Sequence, residues 1–382
     1  MRRKCMLLVL VGAVVVITVF NAEFIDVNRF TQPIREVVLK KDLGFLSSFP
    51  DVSTTEHSSA KPSPSVTQLG LAKLRTDSIK KIYGRSWDEV ITPYNQTYLI
   101  DGRDICNVSP PPFLLLFVLS LPKNTGERQA IRQTWGSNAN ENGASFIIST
   151  KLMFMLGRMA NETLSGKVLQ KETTKYKDIV QADIVESRHN LTNKMMNGLR
   201  WVKTYCPKVK YILKADEDTF INVARFSDYL MKNPNINNKT IHGYLYPRGG
   251  MVQREGRYAV RNEELPSAQY PPYLSGTSYI LPFDVISDML DLAERLPYCP
   301  IDDAFMTGVL RAILDVKIQH SQDFTHMLDM KMSPCRFHTH IAVTNIDINC
   351  MHALWNLTKH AGSIDCNQSS FYDKKICSIF IF

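Results

Sequence analysis

The stretch Tyr211-Ile212-Leu213-Lys214-Ala215-Asp216-Glu217-Asp218 decides the fold. Its first five residues have the length and character of a short buried strand. The chain then turns acidic at once, before Thr219-Phe220-Ile221-Asn222 returns it to apolar character. Upstream, Leu191 to Tyr205 reads as a helix, because Leu191, Met195, Leu199 and Val202 fall on one face. Farther upstream, Pro110-Pro111-Pro112 gives way to Phe113-Leu114-Leu115-Leu116-Phe117-Val118-Leu119, an apolar run of buried-strand length. Leu121 to Gly126 is a turn, Glu127 to Trp135 has helical composition closed by Gly136, and Ala144 to Thr150 predicts a second strand. Strands alternating with helices imply an α/β sheet covered on both faces, whose ligands sit beyond the strand ends. The chain contains no internal repeat.

The acids after Ala215 carry the first chemical signal. Asp216 and Asp218 flank one residue at a strand end, where they can grip a divalent ion whose open positions take diphosphate oxygens. Taken alone an Asp-x-Asp is more often a solvated acidic turn. Its weight depends on what surrounds it.

The chain begins Met1-Arg2-Arg3-Lys4 and runs unbroken and apolar from Cys5 to Phe20. A cationic flank before an apolar core is a membrane-targeting signal. No small-x-small cleavage site closes it, so a signal anchor is preferred to a cleaved signal peptide. The expected organisation is a cytoplasmic tail over 1–4, a transmembrane segment over 5–20, a stem over 21–104 and a luminal catalytic body over 105–382. The stem includes a Ser/Thr/Pro-rich stretch from Ser47 to Pro64. A short span with a luminal body points to the Golgi membrane.

Composition agrees with a folded body: 44% of the 382 residues are hydrophobic, 21% are charged, and 18 Phe with 15 Tyr can furnish a core. The formal charge of +8 comes with no Lys/Arg block beyond the extreme N-terminus. Nucleic acid is therefore not an expected partner, whereas nucleotide-sugars and anionic membranes are compatible. Asn-x-Ser/Thr triplets at Asn95, Asn107, Asn161, Asn190, Asn238, Asn356 and Asn367 suit a luminal address. Seven of the eight cysteines lie beyond the apolar run, so pairing leaves one over, which permits a disulfide-linked homodimer.

Four segments in order resemble the inverting β-1,3-galactosyl- and N-acetylglucosaminyltransferase family of Golgi membrane enzymes. They are Arg128-Gln129-Ala130-Ile131-Arg132-Gln133-Thr134-Trp135-Gly136, Lys214 to Asn222, Tyr270-Pro271-Pro272-Tyr273-Leu274-Ser275-Gly276-Thr277-Ser278-Tyr279, and Ile301-Asp302-Asp303-Ala304-Phe305-Met306-Thr307-Gly308. The resemblance spans about Phe113 to Cys366 and implies a GT-A-like, Rossmann-like fold with UDP seated along the first strands. It implies transfer of a hexose, galactose favoured, from a UDP-sugar to the 3-hydroxyl of a sugar on a glycoprotein or glycolipid, assisted by Mn2+. UDP-N-acetylglucosamine and UDP-N-acetylgalactosamine are the alternative donors, and an inactive relative serving as chaperone or glycan-binding partner is the alternative of another class.

On this resemblance Asp218 is the more direct metal ligand and Asp216 a ligand or ribose contact, with Glu217 a spacer. Arg128 and Arg132, four apart on one helix face, reach the donor diphosphate or brace the carboxylates of the site. Lys194 holds the donor or stays on its helix surface. Ser275 and Gly276 line the pocket, and the glycine lets a ligand approach the backbone. Trp135 is core. Asp303 is the general base with Asp302 as its support, although both also stand where a helix begins and suit an N-cap.

The resemblance also implies bridges Cys106–Cys206 and Cys335–Cys366, leaving Cys299, Cys350 and Cys377 unassigned. Leu274 and Leu310 stand where the family often has a cysteine pair. Nine residues after Cys335 the family usually carries a metal-binding His, and this chain has Thr344. His338 and His340 stand nearby.

Overall fold

The structure is a computed structural model that describes residues 77–84, 88–137, 149–160, 165–233, 239–324, 337 and 339–359. The expected tail, membrane segment and most of the stem lie outside the described residues, as do His338, Cys335, Cys366, Cys377, Asn161, Asn238 and Asn367. Among the described residues no helix is long and apolar enough to cross a membrane.

Ten strands are described: β1 (Tyr98–Ile100), β2 (Leu114–Leu119), β3 (Thr150–Arg158), β4 (Ile179–Val185), β5 (Tyr211–Asp216), β6 (Phe220–Ile221), β7 (Thr240–Tyr246), β8 (Tyr273–Pro282), β9 (Lys317–His320) and β10 (Ala342–Val343). Eight form one sheet in the order β1-β4-β3-β2-β5-β8-β7-β9, and β6 pairs with β10 in a separate ribbon. Strands β4, β3, β2 and β5 are mutually parallel, while β1 and β8 run antiparallel to their neighbours. Every residue of β2 is buried. Leu115, Phe117 and Leu119 enter one core, and Leu114, Leu116 and Val118 enter the other. An unbroken apolar run is what a parallel strand covered on both faces requires.

After a short helix over 77–83, the helices are α1 (Thr125–Gln133), α2 (Ser165–Tyr176), α3 (Leu191–Tyr205), α4 (Val223–Lys232), α5 (Ile286–Ala293) and α7 (Ile348–Lys359). Between α5 and α7 lies α6, a π-wound segment over Ala304–Leu310 continued by a helical turn, Arg311–Ile313. α3 covers one core with Met195, Met196, Leu199, Trp201 and Val202, and α1 covers the other with Ala130 and Ile131. Trp135 is fully buried in the second core, as expected.

Three expectations change. Of the strand predicted over Ala144–Thr150 only the last two residues are described, and the strand in the sheet is β3. Its centre, Leu152-Met153-Phe154-Met155-Leu156, is built largely from residues with no strand preference of their own. Burial between β2 and β4 makes it a strand. The boundary of the stem also moves: Ile79, Tyr83 and Tyr94 are buried in the core and β1 pairs with β4, so the globular unit begins well before 105. Among the described residues the free thiol is Cys299, which is fully buried and so out of reach of an intermolecular bridge. Cys106–Cys206 forms as expected and Cys350 is also in a disulfide.

From β2 the chain builds β3 and β4 to one side, then crosses to β5 on the other side of β2. The crevice between the carboxyl ends of β2 and β5 is therefore the topological switch point, where open α/β sheets bind ligands. Leu119 pairs with Asp216, so both strands end at one level. Close packing holds α3 against β2. A Cβ at Gly198 would lie 2.4 Å from Cζ of Phe117. Gly198→Ala gains helix propensity of about 1 kcal/mol but overpacks the core, so a net loss of about 1–2 kcal/mol is expected in urea unfolding. Unchanged or increased stability would contradict this packing.

Candidate active site

The acidic motif closes the switch point. Leu121 N–H donates to Oε2 of Glu217 at 3.2 Å, and Nδ2 of Asn124 donates to Oε1 at 2.5 Å. Glu217 is thus a clamp and not a spacer: it ties the loop after β2 to the end of β5. Asn124 occupies the N-cap position of α1 but makes no side-chain cap, because its amide is spent on Glu217.

Lys214 organises the other side. It is 1% exposed, and its Nζ contacts Oδ1 of Asp216 at 2.6 Å and the carbonyl oxygen of Gly276. Burial alone would pull its pKa down, yet the charges of Asp216, Asp302 and Asp303 outweigh that and raise it. The sequence carried a signal for this residue: Lys214 and Asp216 stand two apart on a strand and so share a face.

Asp303 sits across from this cation, at the N-cap of the π-wound segment. Its Oδ2 accepts from Gly276 N–H at 2.9 Å and its Oδ1 from Ala304 N–H at 2.8 Å. A Cβ on Gly276 would come within 3.0–3.2 Å of the Asp303 carboxyl group and Cβ. The glycine is needed because Asp303 approaches the backbone. Thr307 fixes the arrangement, with its Oγ1 accepting from Leu274 N–H at 2.8 Å. Burial, and then the charge of Asp302, push Asp303 up to about 7. Asp302 is 6% exposed, raised by burial, and its Oδ2 has no hydrogen-bond partner. Asp303 is therefore the N-cap of this segment, with Asp302 buried beside it. Ser275 is buried and faces Thr277 at 3.2 Å, so it supports β8 and offers little surface to a ligand. Tyr246 and Tyr273, half-buried with ring centroids 5.1 Å apart, both feel the charge of Asp303.

Asp218 is pushed up to about 7 by burial and by the neighbouring Asp216 and Glu217. Carboxylates crowded in this way, with one oxygen of Asp302 left unpartnered, fit a hard divalent cation. Among the described residues no group of three or more His, Cys, Asp or Glu side chains stands ready to coordinate one. Thr344 does lie beside the motif: its Oγ1 is 3.1 Å from that of Thr219, and the adjoining β10 pairs with β6. The position expected to carry an imidazole is in place and carries a hydroxyl.

The three cations expected to meet the donor have protein partners in this structure. Arg128 is fully buried and spends its guanidinium on both oxygens of Glu172 and on Ser120, Leu121, Pro122 and Thr125. Arg132 forms a two-pronged pair with Asp178 at 2.7 and 2.8 Å, reaches Glu172 at 2.7 Å, and stacks on Phe154 and Tyr176. Arg128 has no donor left for a phosphate, Arg132 is buried against two carboxylates, and the acids they brace lie outside the motif. Lys194 is buried and paired, its Nζ 2.9 Å from both oxygens of the half-buried Glu186.

Residues 126–322, just over half of the chain, match the family model described as galactosyltransferase. Beta-1,3-galactosyltransferase 5 of Homo sapiens is 31% identical over 259 residues, which cover 67% of this chain and 81% of that one. The chain belongs to the β-1,3-galactosyltransferase family. Beta-1,3-galactosyltransferase 1 of Mus musculus is 30% identical over 275 residues, covering 72% and 82%. As a member of that family the chain is a transferase. The apo structure of the bifunctional glycosyltransferase WbbM aligns with a TM-score of 0.34 at 8% identity, over 57% of this chain and 40% of that one. That likeness is too slight to bear on the fold.

In this transferase Lys214→Met keeps the aliphatic bulk and removes the charge that Asp216, Asp302 and Asp303 face. A loss of about 3–5 kcal/mol at neutral pH is expected for removing one partner of a buried ion cluster. Without the lysine the carboxyl pKa values rise further. A carboxyl raised on folding favours the folded state while protonated, and that contribution is lost as pH rises through its folded pKa. The deficit in Tm should therefore be larger near pH 8 than near pH 5. Equal deficits at both would show that Lys214 acts through packing alone.

Proposed function

We propose that this chain transfers galactose from UDP-galactose to the 3-hydroxyl of a sugar on a glycoprotein or glycolipid, with inversion and with a GT-A-like site. The observation that carries the reading is the carboxylate of Asp303, held by two backbone N–H groups, raised toward neutrality, and placed beside a second acidic centre at the switch point. A base with a pKa near the working pH is suited to take a proton from a hydroxyl.

In this reading the acceptor oxygen attacks the anomeric carbon on the face opposite the departing UDP, and Asp303 accepts its proton. Asp302 keeps the Asp303 pKa high enough for the transfer. Tyr246 and Tyr273 offer ring faces on which an acceptor sugar can stack. Asp218, with the Asp216 oxygen that Lys214 leaves free, would hold a divalent cation such as Mn2+. When bound, that ion supplies a positive counter-charge for the diphosphate. The apolar run over 5–20 would anchor the enzyme in the Golgi membrane with this site in the lumen.

The test uses the detergent-solubilised full-length chain with labelled UDP-galactose, UDP-N-acetylglucosamine and UDP-N-acetylgalactosamine, each with mixed sugar acceptors and with Mn2+ or chelator. Transfer of galactose, lost with chelator, is expected. Asp303→Asn should lower kcat by about 100-fold or more with UDP affinity retained. Transfer by this variant at the parental rate would remove Asp303 from the base role. Preference for an N-acetylated donor would reassign the sugar.

Thr344 in place of an imidazole favours one other reading, a relative that binds glycans without transferring them. Glycan binding with no UDP affinity in the same assay would select it.

The pH dependence follows from the sign of the Asp303 shift. The base is active when charged, and the charged form fills as pH rises through about 7. The transfer rate at saturating donor and acceptor should rise from about pH 6 to about pH 8 and then level. A rate that falls over that interval would contradict a carboxylate base raised to this range.

A further inference from the structure

A cavity of about 380 Å³, within the range of about 300–1,000 Å³ typical of ligand pockets, opens at the carboxyl ends of β2, β3 and β4. Its lining includes Leu121 and Lys123 after β2, Met159 after β3, and Glu186 and Arg188 after β4. It adjoins the acidic motif directly, because the Leu121 that lines it is the residue whose N–H is held by Glu217. A second cavity, of about 430 Å³, lies at the opposite ends of the strands beside Cys106–Cys206, away from these groups.

We propose that this crevice receives the diphosphate of the nucleotide donor and that Lys123 and Arg188 are the cations that bind it. The inference rests on the donor reading above and names the residues that serve it. Of the cations expected from the sequence, Arg128 and Arg132 are committed to Glu172 and Asp178, and Lys194, which also lines the cavity, is paired with Glu186. Lys214 is committed to Asp216. Lys123 and Arg188 are both exposed on the rim of the cavity, and neither takes part in an ion pair among the described residues.

Both cations are presented by fixed backbone. The loop carrying Lys123 is gripped from the motif side by Glu217, at Leu121 and Asn124, and from behind by Arg128, at the carbonyls of Leu121 and Pro122. Arg188 lies over the ring of Tyr258, Cζ to centroid 5.1 Å, with Nη1 3.4 Å from its hydroxyl. Stacking leaves a guanidinium edge free for phosphate oxygens. A diphosphate between these two side chains would lie next to Asp216 and Asp218, where a shared cation can reach it.

The experiment measures binding of UDP and of uridine to the full-length chain by calorimetry in Mn2+ buffer, for Lys123→Ala, Arg188→Ala and the double variant. Each single change should weaken UDP binding on the order of tenfold and leave uridine binding unaltered. Both residues are exposed, so Tm should not move. Unchanged UDP affinity in the double variant would overturn this assignment while the donor reading stood. Equal losses for UDP and uridine would overturn it also, since the residues would then shape the pocket and not meet the phosphates. If the parental chain bound no UDP, the donor reading itself would fall and this assignment with it.

Discussion

The site depends on one buried ammonium group. Lys214 enters the interior on β5 and faces Asp216, Asp302 and Asp303, with Asp218 one turn of chain away. Four carboxylates cannot share a low-dielectric region without compensation, and a single cation compensates only part of them. What remains appears as raised carboxyl pKa values: Asp218 and Asp303 both reach about 7 and Asp302 is also raised. The imbalance distinguishes a site from a structural salt bridge. Arg128, Arg132, Glu172 and Asp178 are buried just as deeply, yet each guanidinium there meets carboxylates in two-pronged geometry. That second cluster is closed, whereas the first carries acids that its one cation does not balance.

The two clusters have a mechanical relation. Arg128 in the closed cluster and Glu217 in the open one grip the same loop after β2, Ser120 to Asn124, from opposite sides. The signature beginning at Arg128 therefore acts on the site through the backbone of that loop. On the opposite flank the same logic applies to Asp303, whose position follows from Gly276, from the N-terminus of the π-wound segment and from Thr307. Local departures from regular helix of this kind are common where a side chain must be aimed.

Much of the architecture was legible in the sequence because parallel strands and amphipathic helices leave periodic traces. The apolar run before Ser120, the helix over Leu191–Tyr205 and the strand into Asp216 all reappear with bounds within a residue or two. Strand β3 was not legible, since Met and Leu suit either conformation and only its neighbours decide. The roles of cations were the least legible. Helical spacing puts Arg128 and Arg132 on one face, but it does not tell which partner waits there, and Glu172 and Asp178 are more than forty residues away. Gly276 was read correctly as a place of close approach, but the approach of Asp303, on another element, was not legible for the same reason.

Thr344 tests how far a family signature fixes chemistry. Its hydroxyl pairs with Thr219, next to Asp218, in a ribbon where β10 lies against β6. The position at which the resemblance implies an imidazole thus carries a hydroxyl. Replacing nitrogen by oxygen leaves a donor set of carboxylates and hydroxyls, which suits hard cations and selects less strongly among transition metals. Such a cation would draw its affinity chiefly from charge, and the carboxylates around Lys214 hold an excess of it. On the reading proposed for this transferase, the unbalanced acids compensate for the missing imidazole. Donor, cation and base are then coupled through a single charge cluster: a cation that enters lowers the pKa of Asp218 directly, and that of Asp303 through the shared field of Lys214 and its acids.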